Sequence, residues 1–325
     1  MFLVSCKVIH SSDEALDMVP IEIKLALPRE LRQVLRCCLA GPDRNAVELE
    51  RRVGAFLEYA QAMSFDLSRQ WWCRRENRAV SACLCIESPG RTAMLLLPEG
   101  VDEEAQRRLI EYVAEQESVR DIRLLQALID VRDAPNRCAL QRADFLEIAV
   151  LNYLELNTTN PPNLTVSSRP GTLGQNALTV VHYETDLHSE FAEIIKATYE
   201  DSLDCPRLSE LRDIEDVVES HKGAGRFKPH RWLLLRYEGR PAACILLTEN
   251  PIRPVLELVY MGVHPHFRRR SLGRYVLGCG INLACRERFQ AVTLAVDSKN
   301  RPACRLYERV GFRQTHRRRA LIRRL

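Results

Sequence analysis

A chain of 325 residues with 46% hydrophobic residues can bury the cores of two domains, and 47 basic against 43 acidic residues leave a net charge of only +4. That balance excludes a chain-wide attraction to nucleic acid and leaves only local patches. No run of about 18 apolar residues exists to cross a membrane as a helix, and the twelve cysteines lie in apolar runs such as RCCLAG and SACLCIE. Without CxxC pairs they read as reduced, mostly buried thiols rather than zinc ligands or disulfides. The opening MFLVSCKVIHSS has no basic n-region ahead of an apolar stretch, so a cytoplasmic protein is expected.

In chain order, QWWCRRENRAVSACLCI reads as strand, tight polar turn, strand, a β-hairpin turning at Glu76-Asn77-Arg78. The adjacent Trp71 and Trp72 are expected in the core or at a domain interface. DEEAQRRLIEYVAEQ has helical spacing, DIRLLQALID strand character, and ALQRADFLEI closes the first half with another helix leading to Phe145. LNTTNPPNLTVSSRPGTLGQNA is rich in Asn, Thr, Ser, Pro and Gly and has no apolar period. It divides the chain into a domain over residues 1–156, a linker over 157–176 and a domain over 177–325.

The second half opens on a strand, LTVVHYET, and two helices, HSEFAEIIKATYEDS and SELRDIEDVVESHKGAG, the latter ended by Gly223 and Gly225. WLLLRYEGRPAACILLT is a second hairpin whose Glu238-Gly239-Arg240 falls on Glu76-Asn77-Arg78. A strand, VLELVYMGV, a basic loop, a helix from Gly273, a strand, AVTLAVD, a helix, RPACRLYERV, and a final strand, HRRRALIRRL, follow. Phe145 falls on Phe312 and Arg142 on Arg309, and the order of elements agrees between halves. We read an internal repeat and an α+β fold (α/β layered): tandem domains, each a mixed central sheet flanked by helices.

The chemistry concentrates in ELVYMGVHPHFRRRSLG, Glu257 to Gly273. Pro265 cannot extend a ladder, so the chain leaves the sheet there. A helix then opens near Ser271 to Gly273, and its free N–H groups and dipole favour an anion. Arg268, Arg269, Arg270 and Arg274 add positive charge. Ser271 is expected as the N-cap, and Gly273 would let a ligand approach the backbone closely. This is the physics of a pyrophosphate cradle, although neither a Walker A loop nor GxGxxG is present.

Val263-x-Pro265-x-x-Arg268-x-x-Ser271-x-Gly273 resembles the acyl-CoA loop of the GNAT acyltransferase superfamily, usually V-x-P-x-x-(Q/R)-x-x-G-x-(G/A). AVDSKNRPACRLYERVGF, Ala295 to Phe312, is similar to that family's second signature. The tandem arrangement is similar to that of mycothiol synthases, whose substrate is not carried over. Two positions depart from the pattern: Ser271 replaces the usual Gly, and Arg269 stands where Gly is common. With Ser271 as a helix cap, an ordinary loop without positive φ is expected there.

The resemblance implies direct transfer of an acetyl or other acyl group from acetyl-CoA, as co-substrate, to an amine. It implies Tyr307 as the acid that protonates the leaving thiolate. For the base, Glu257 lies six residues before Val263, so a strand period of two puts both on one face, and some members of the family carry a catalytic Glu there. Met261 and Val263 would offer backbone groups to the pantetheine arm and the acyl carbonyl. Arg268, Arg269, Arg270, Ser271, Leu272, Gly273 and Arg274 would hold the pyrophosphate, with Asn300 and Ala303 beside the CoA arm. Glu200, Asp201 and Asp204 could attract a cationic acceptor, a small molecule or a protein N-terminus.

His264 and His266 lack further spaced ligands, so no metal is expected, and no thiol nucleophile is expected at Cys205 without a His partner. The first half has acidic VDEEAQRRLI where the second is basic, and Leu140 where the second has Tyr307. It is expected to be a degenerate, non-catalytic domain. A non-catalytic acyl-CoA sensor would keep the arginines without needing Tyr307. No nucleic-acid or membrane partner is expected, and the protein is expected as a monomer or homodimer.

Overall fold

The computed structural model describes residues 20–40, 45–159, 178–200, 202–205 and 212–325. The first half contributes strands β1 (Ile21–Leu25), β2 (Gln70–Arg75), β3 (Arg78–Ser88), β4 (Thr92–Leu96), β5 (Leu124–Asp130) and β6 (Leu146–Asn157). Its helices are α1 (Leu31–Leu39), α2 (Ala46–Ala62), α3 (Glu103–Ser118) and α4 (Ala134–Arg142). The second half contributes β7 (Leu178–His182), β8 (Trp232–Tyr237), β9 (Arg240–Glu249), β10 (Val255–Val263), β11 (Ala291–Asp297) and β12 (Arg313–Arg324). Its helices are α5 (His188–Tyr199), α6 (Ile214–Gly223), α7 (Leu272–Arg286) and α8 (Arg301–Val310).

The internal repeat is visible in local chemistry. Both hairpins turn through two residues of positive φ, Glu76 (48°) and Asn77 (62°) in the first half, Glu238 (50°) and Gly239 (78°) in the second. That geometry matches the right-handed twist of the strands it joins. Asp133 caps α4 by accepting the Asn136 N–H, and Asn300 caps α8 by accepting the Ala303 N–H. Each helix ends in a left-handed residue, Asp144 and Gly311, before a buried Phe145 or Phe312.

Among the described residues twelve strands form one sheet, in the order β1-β2-β3-β4-β5-β12-β6-β11-β10-β9-β8-β7. Read from either edge, the order runs through the first five strands of one half. The two last strands then cross. β12 lies between β5 and β6, and β6 lies between β12 and β11, all antiparallel. Each half's sheet is therefore completed by the other's last strand, an exchange that sequence likeness alone does not reveal.

Alternation sorts the core into layers. In the second half Leu233, Leu235, Ile245 and Leu247 pack under α7 and α8, while Trp232, Leu234, Cys244 and Leu246 pack under α5 and α6. In the first half Trp71 packs toward α3 and α4, and its neighbour Trp72 toward α1 and α2. The two tryptophans are buried on opposite faces of one strand. The halves also meet outside the sheet: Arg91 pairs with Asp216 of α6 at 2.6 Å, and Ser220 donates to the Pro89 carbonyl at 2.8 Å.

Candidate active site

β10 and β11 run parallel but stay paired only from Val255–Ala291 to Leu258–Leu294. Beyond that point β10 carries a bulge. Leu258 faces Leu247 of β9, whereas Tyr260 faces the very next residue, Leu246, so Val259 is extra. The strands splay, and β10 continues to Val263 with only β9 as a partner. Every second peptide of this stretch turns its polar groups away from β9, toward the gap. A cleft of about 870 Å³ opens there, within the range of small-molecule and cofactor sites.

The walls come from four places. Val259 to Val263 form the strand side, and the opening of α7 supplies Ser271 to Arg274. α8 contributes Asn300, Ala303, Arg305, Leu306, Tyr307 and Arg309. The α5–α6 side contributes Thr198, Tyr199, Asp204, Cys205 and His221. A Cβ added at Gly273 would stand 3.6 Å from Val263 and 3.7 Å from Leu306. The protein itself leaves room there, and a side chain would occupy ligand space.

The loop before α7 differs from expectation. Ser271 makes no side-chain cap bond; it sits at φ 61°, ψ 9°, and Arg269 has φ 64°. Both positions demand left-handed backbone, which costs an L-residue with a Cβ about 1–2 kcal/mol. Ser and Arg carry that cost where the loop pattern usually has glycine. The first N–H groups of α7 consequently have no side-chain cap and open onto the cleft.

The candidate residues divide. Met261, Val263, Arg268, Arg269, Ser271, Leu272, Gly273, Arg274, Asn300, Ala303, Tyr307 and Asp204 line the cleft. Arg270 does not; its guanidinium lies over the Phe267 ring, 5.7 Å from the centroid. The Arg268 side chain is committed to the protein: it donates to the carbonyls of Val263 (3.2 Å), Thr198 (3.2 Å) and Glu200 (2.6 Å). Through Nε and Nη2 it ties the end of α5 to the end of β10, a positioning role. Asn300 spends its Oδ1 on capping α8.

Glu257 does not line the cleft. The bulge reverses the alternation of β10, so Leu256 and Leu258 share a face with Met261 and Val263, and Glu257 lies on the other. Its Oε1 accepts from Asn250 at 2.6 Å, and burial raises its pKa despite that bond. The side chain of Glu200 is exposed away from the cleft, and Asp201 lies outside the described residues.

Tyr307 is 5% exposed and packs edge-on against Phe312. Burial, helped by the charge of Asp204, pushes its pKa well above the usual phenol value, so it keeps its proton. Asp204 Oδ1 accepts the backbone N–H of Asp297, the last residue of β11, at 2.8 Å. Loss of hydration and then the neighbouring Asp297 raise the pKa of Asp204. Burial pushes the Cys205 thiol up to about 12, so the thiolate is not populated near neutrality.

Arg305 and Arg309 were not singled out in the sequence. Their spacing of four puts both on one helical face, which was the readable signal. Tyr199, Tyr260 and His221 were missed for another reason: separate elements bring them together, at the α5–α6 side of the bulge. Tyr199 and Tyr260 meet edge to face at 5.7 Å, and His221 packs on Tyr260 at 5.2 Å. Among the described residues no helix is long and apolar enough to cross a membrane, and no cluster of three His, Cys, Asp or Glu could hold a metal ion.

Comparison with known proteins gives this geometry a context. Residues 191–312 match the profile of the Acetyltransferase (GNAT) family. No curated protein matches the chain. A GCN5-related N-acetyltransferase from Sphaerobacter thermophilus has a similar structure, with a TM-score of 0.64 at 15% identity over 94% of this chain and 97% of that one. A tandem GNAT protein from the clavulanic acid biosynthesis pathway follows, with a TM-score of 0.52 at 15% identity over 94% and 98%. A glucosamine N-acetyltransferase region of a fungal multi-domain GH3 β-N-acetylglucosaminidase reaches a TM-score of 0.60 at 12% identity over 94% of this chain and 38% of that one. These likenesses concern the fold.

Proposed function

We propose, from the match of residues 191–312 to the Acetyltransferase (GNAT) family, that the chain transfers an acetyl or similar acyl group from acyl-CoA directly to an amine. The observation that carries the reading is Tyr307, a buried phenol that lines the same cleft as the uncapped start of α7, where β10 and β11 part.

Acetyl-CoA, as co-substrate, supplies the activated acyl group. The N–H groups of Leu272 and Gly273, at the start of α7, receive the pyrophosphate. Arg269, Arg274, Arg305 and Arg309 surround it with charge. The free edge of β10 at Met261 and Val263 holds the pantetheine arm and polarises the acyl carbonyl as charge develops. Asn300 and Ala303 flank the arm. Tyr307 keeps its phenolic proton at neutral pH and gives it to the departing sulfur.

The first half is proposed to be non-catalytic. Where the second half has the small Ala303, the first has Asn136, which donates to the Pro98 carbonyl at 2.6 Å and to Asp133 at 2.7 Å and fills the counterpart position. Leu140 replaces Tyr307, and Asp102, Glu103 and Glu104 open α3 with negative charge. A cytoplasmic location is likewise proposed.

Acetyl-CoA should raise the melting temperature of the full chain. Thiol release across an amine panel should detect turnover, and Tyr307→Phe should lower kcat about a hundredfold with acetyl-CoA binding retained. A Tyr307→Phe variant with full turnover would remove the acid role. Binding without turnover by any amine would instead favour a sensor.

A further inference from the structure

The cleft is bipolar. Its described lining holds five arginines, Arg268, Arg269, Arg274, Arg305 and Arg309, and a single carboxylate, that of Asp204. Four of the arginines, Arg269, Arg274, Arg305 and Arg309, gather at the opening of α7 and along α8, while the Arg268 guanidinium is held at the end of α5. Asp204 comes from the opposite side, the segment between α5 and α6. Its bond to the Asp297 N–H anchors it at the end of β11, across the mouth of the splay. Its second oxygen, Oδ2, makes no hydrogen bond among the described residues.

The groups around Asp204 leave it as the proton acceptor. Tyr199 and Tyr260 face it from α5 and β10, Tyr307 and Cys304 from α8, and Asp297 from β11. Burial first, and the charge of Asp204 in addition, keep the three phenols and Cys304 protonated. Its neighbour Cys205 is held protonated in the same way. On α6, burial and then Arg212 push His221 down to about 3, so its imidazole is neutral and a poor base. Arg212 is occupied by the carbonyls of Gly90 and Asp216 and by the Ser220 hydroxyl. The Tyr260 hydroxyl lies 2.6 Å from Thr198 Oγ1, which fixes the ring beside that of Tyr199.

We propose that Asp204 docks the acceptor as an ammonium ion and takes the proton the amine loses on acylation, the faces of Tyr199 and Tyr260 completing a site for a primary alkylamine. The proposal rests on the acyl-transfer reading above and names its acceptor class. Aromatic faces and one carboxylate suit an ammonium head. The docked ammonium first releases one proton to water, and the neutral amine nitrogen then forms the C–N bond to the thioester carbonyl carbon. The C–S bond breaks and its electron pair leaves on sulfur. Asp204 accepts one proton from nitrogen, and Tyr307 donates one to sulfur. The products are an amide and the free CoA thiol, and water returns the proton from Asp204 to Tyr307.

The test uses the full chain saturated with acetyl-CoA or CoA, with n-propylammonium as the probe. In the CoA-saturated wild type, propylammonium should raise the melting temperature further, and Asp204→Asn should abolish that increment. Asp204→Asn should also lower propylamine-dependent thiol release about a hundredfold. The rise caused by CoA alone should be kept. The pH-rate profile of the wild type should show an acidic limb that the variant lacks. Asn can still accept the Asp297 N–H, so a merely structural role predicts that both the stability and the acidic limb are kept. No propylammonium increment in the wild type would overturn the proposal. So would an acidic limb that survives Asp204→Asn but vanishes in Glu257→Gln. If acetyl-CoA itself failed to bind the wild type, the acyl-transfer reading would fall, and this inference with it.

Discussion

Gly262 of β10 lies so close beneath Thr198 of α5 that an added Cβ would stand 2.5 Å from Thr198 Oγ1. Thr198 donates to the Ile195 carbonyl at 2.8 Å and receives the Tyr260 hydroxyl at 2.6 Å. The missing side chain therefore sets the distance between the helix and the strand that lines the cleft. Gly262→Ala should destabilise the fold by about 1–3 kcal/mol through overpacking. It should also weaken acceptor binding, because Tyr260 loses its fixed partner. Thermal unfolding and the KM for the amine check the two effects separately.

Arg305 and Arg309 stand one helical turn apart at the cleft's basic end. Replacing either with Ala should weaken acetyl-CoA binding by about tenfold, the scale of one charge-assisted hydrogen bond. The loss should shrink as salt is added, since exposed charges are screened over about 8–10 Å. Arg270→Ala, which removes a guanidinium stacked on Phe267 outside the cleft, should change binding much less. Calorimetric titration at two salt concentrations tests the ranking.

Ser271 at φ 61° bears backbone strain without a compensating cap bond. Ser271→Gly should stabilise the protein by about 1 kcal/mol, a melting-temperature rise of roughly 2 °C for a chain of this size. The phosphate-facing N–H groups keep their direction, so acetyl-CoA affinity should hold. An unchanged or lower melting temperature would mean the serine contributes an interaction that offsets its strain.

The pH dependence of Asp204 has a defined sign. Its folded pKa is raised, so above its unfolded pKa near 3.9 the native state binds more protons than the unfolded chain. Its ionisation therefore costs stability as pH rises through the folded pKa. Asp204→Asn should accordingly melt no lower, and somewhat higher, than wild type at pH 7, with the difference disappearing in acid. Thermal scans across that range measure it.

Element types were legible wherever period and punctuation agreed. Both hairpins, the strand ending at His264-Pro265 and the helix closed by Gly311 follow from local chemistry. The arginine loop and Tyr307 were legible as motifs, and the structure puts both on one cleft. Glu257 was misread because a period of two is trustworthy only along an unbroken ladder, and the extra residue at Val259 inverts it. The tyrosine pair at 199 and 260 was not legible, since its members meet only after α5 docks on β10. The strand exchange was illegible for the same kind of reason: β6 and β12 look alike in pattern whether each pairs at home or across.

That exchange makes a last prediction. In the second half alone, β11 would lose β6, its partner from Ala291 to Asp297, and β12 would lose partners on both sides. Such long unpaired edges template association with other chains. The apolar residues Leu154 and Leu156 of β6 would also leave the core beneath α7 and α8. Residues 178–325 expressed alone should therefore aggregate or remain unfolded. Adding a separate chain of residues 20–159 during refolding should rescue solubility and acetyl-CoA binding together. A soluble, acetyl-CoA-binding second half on its own would show that β12 can return to its own sheet, beside β11.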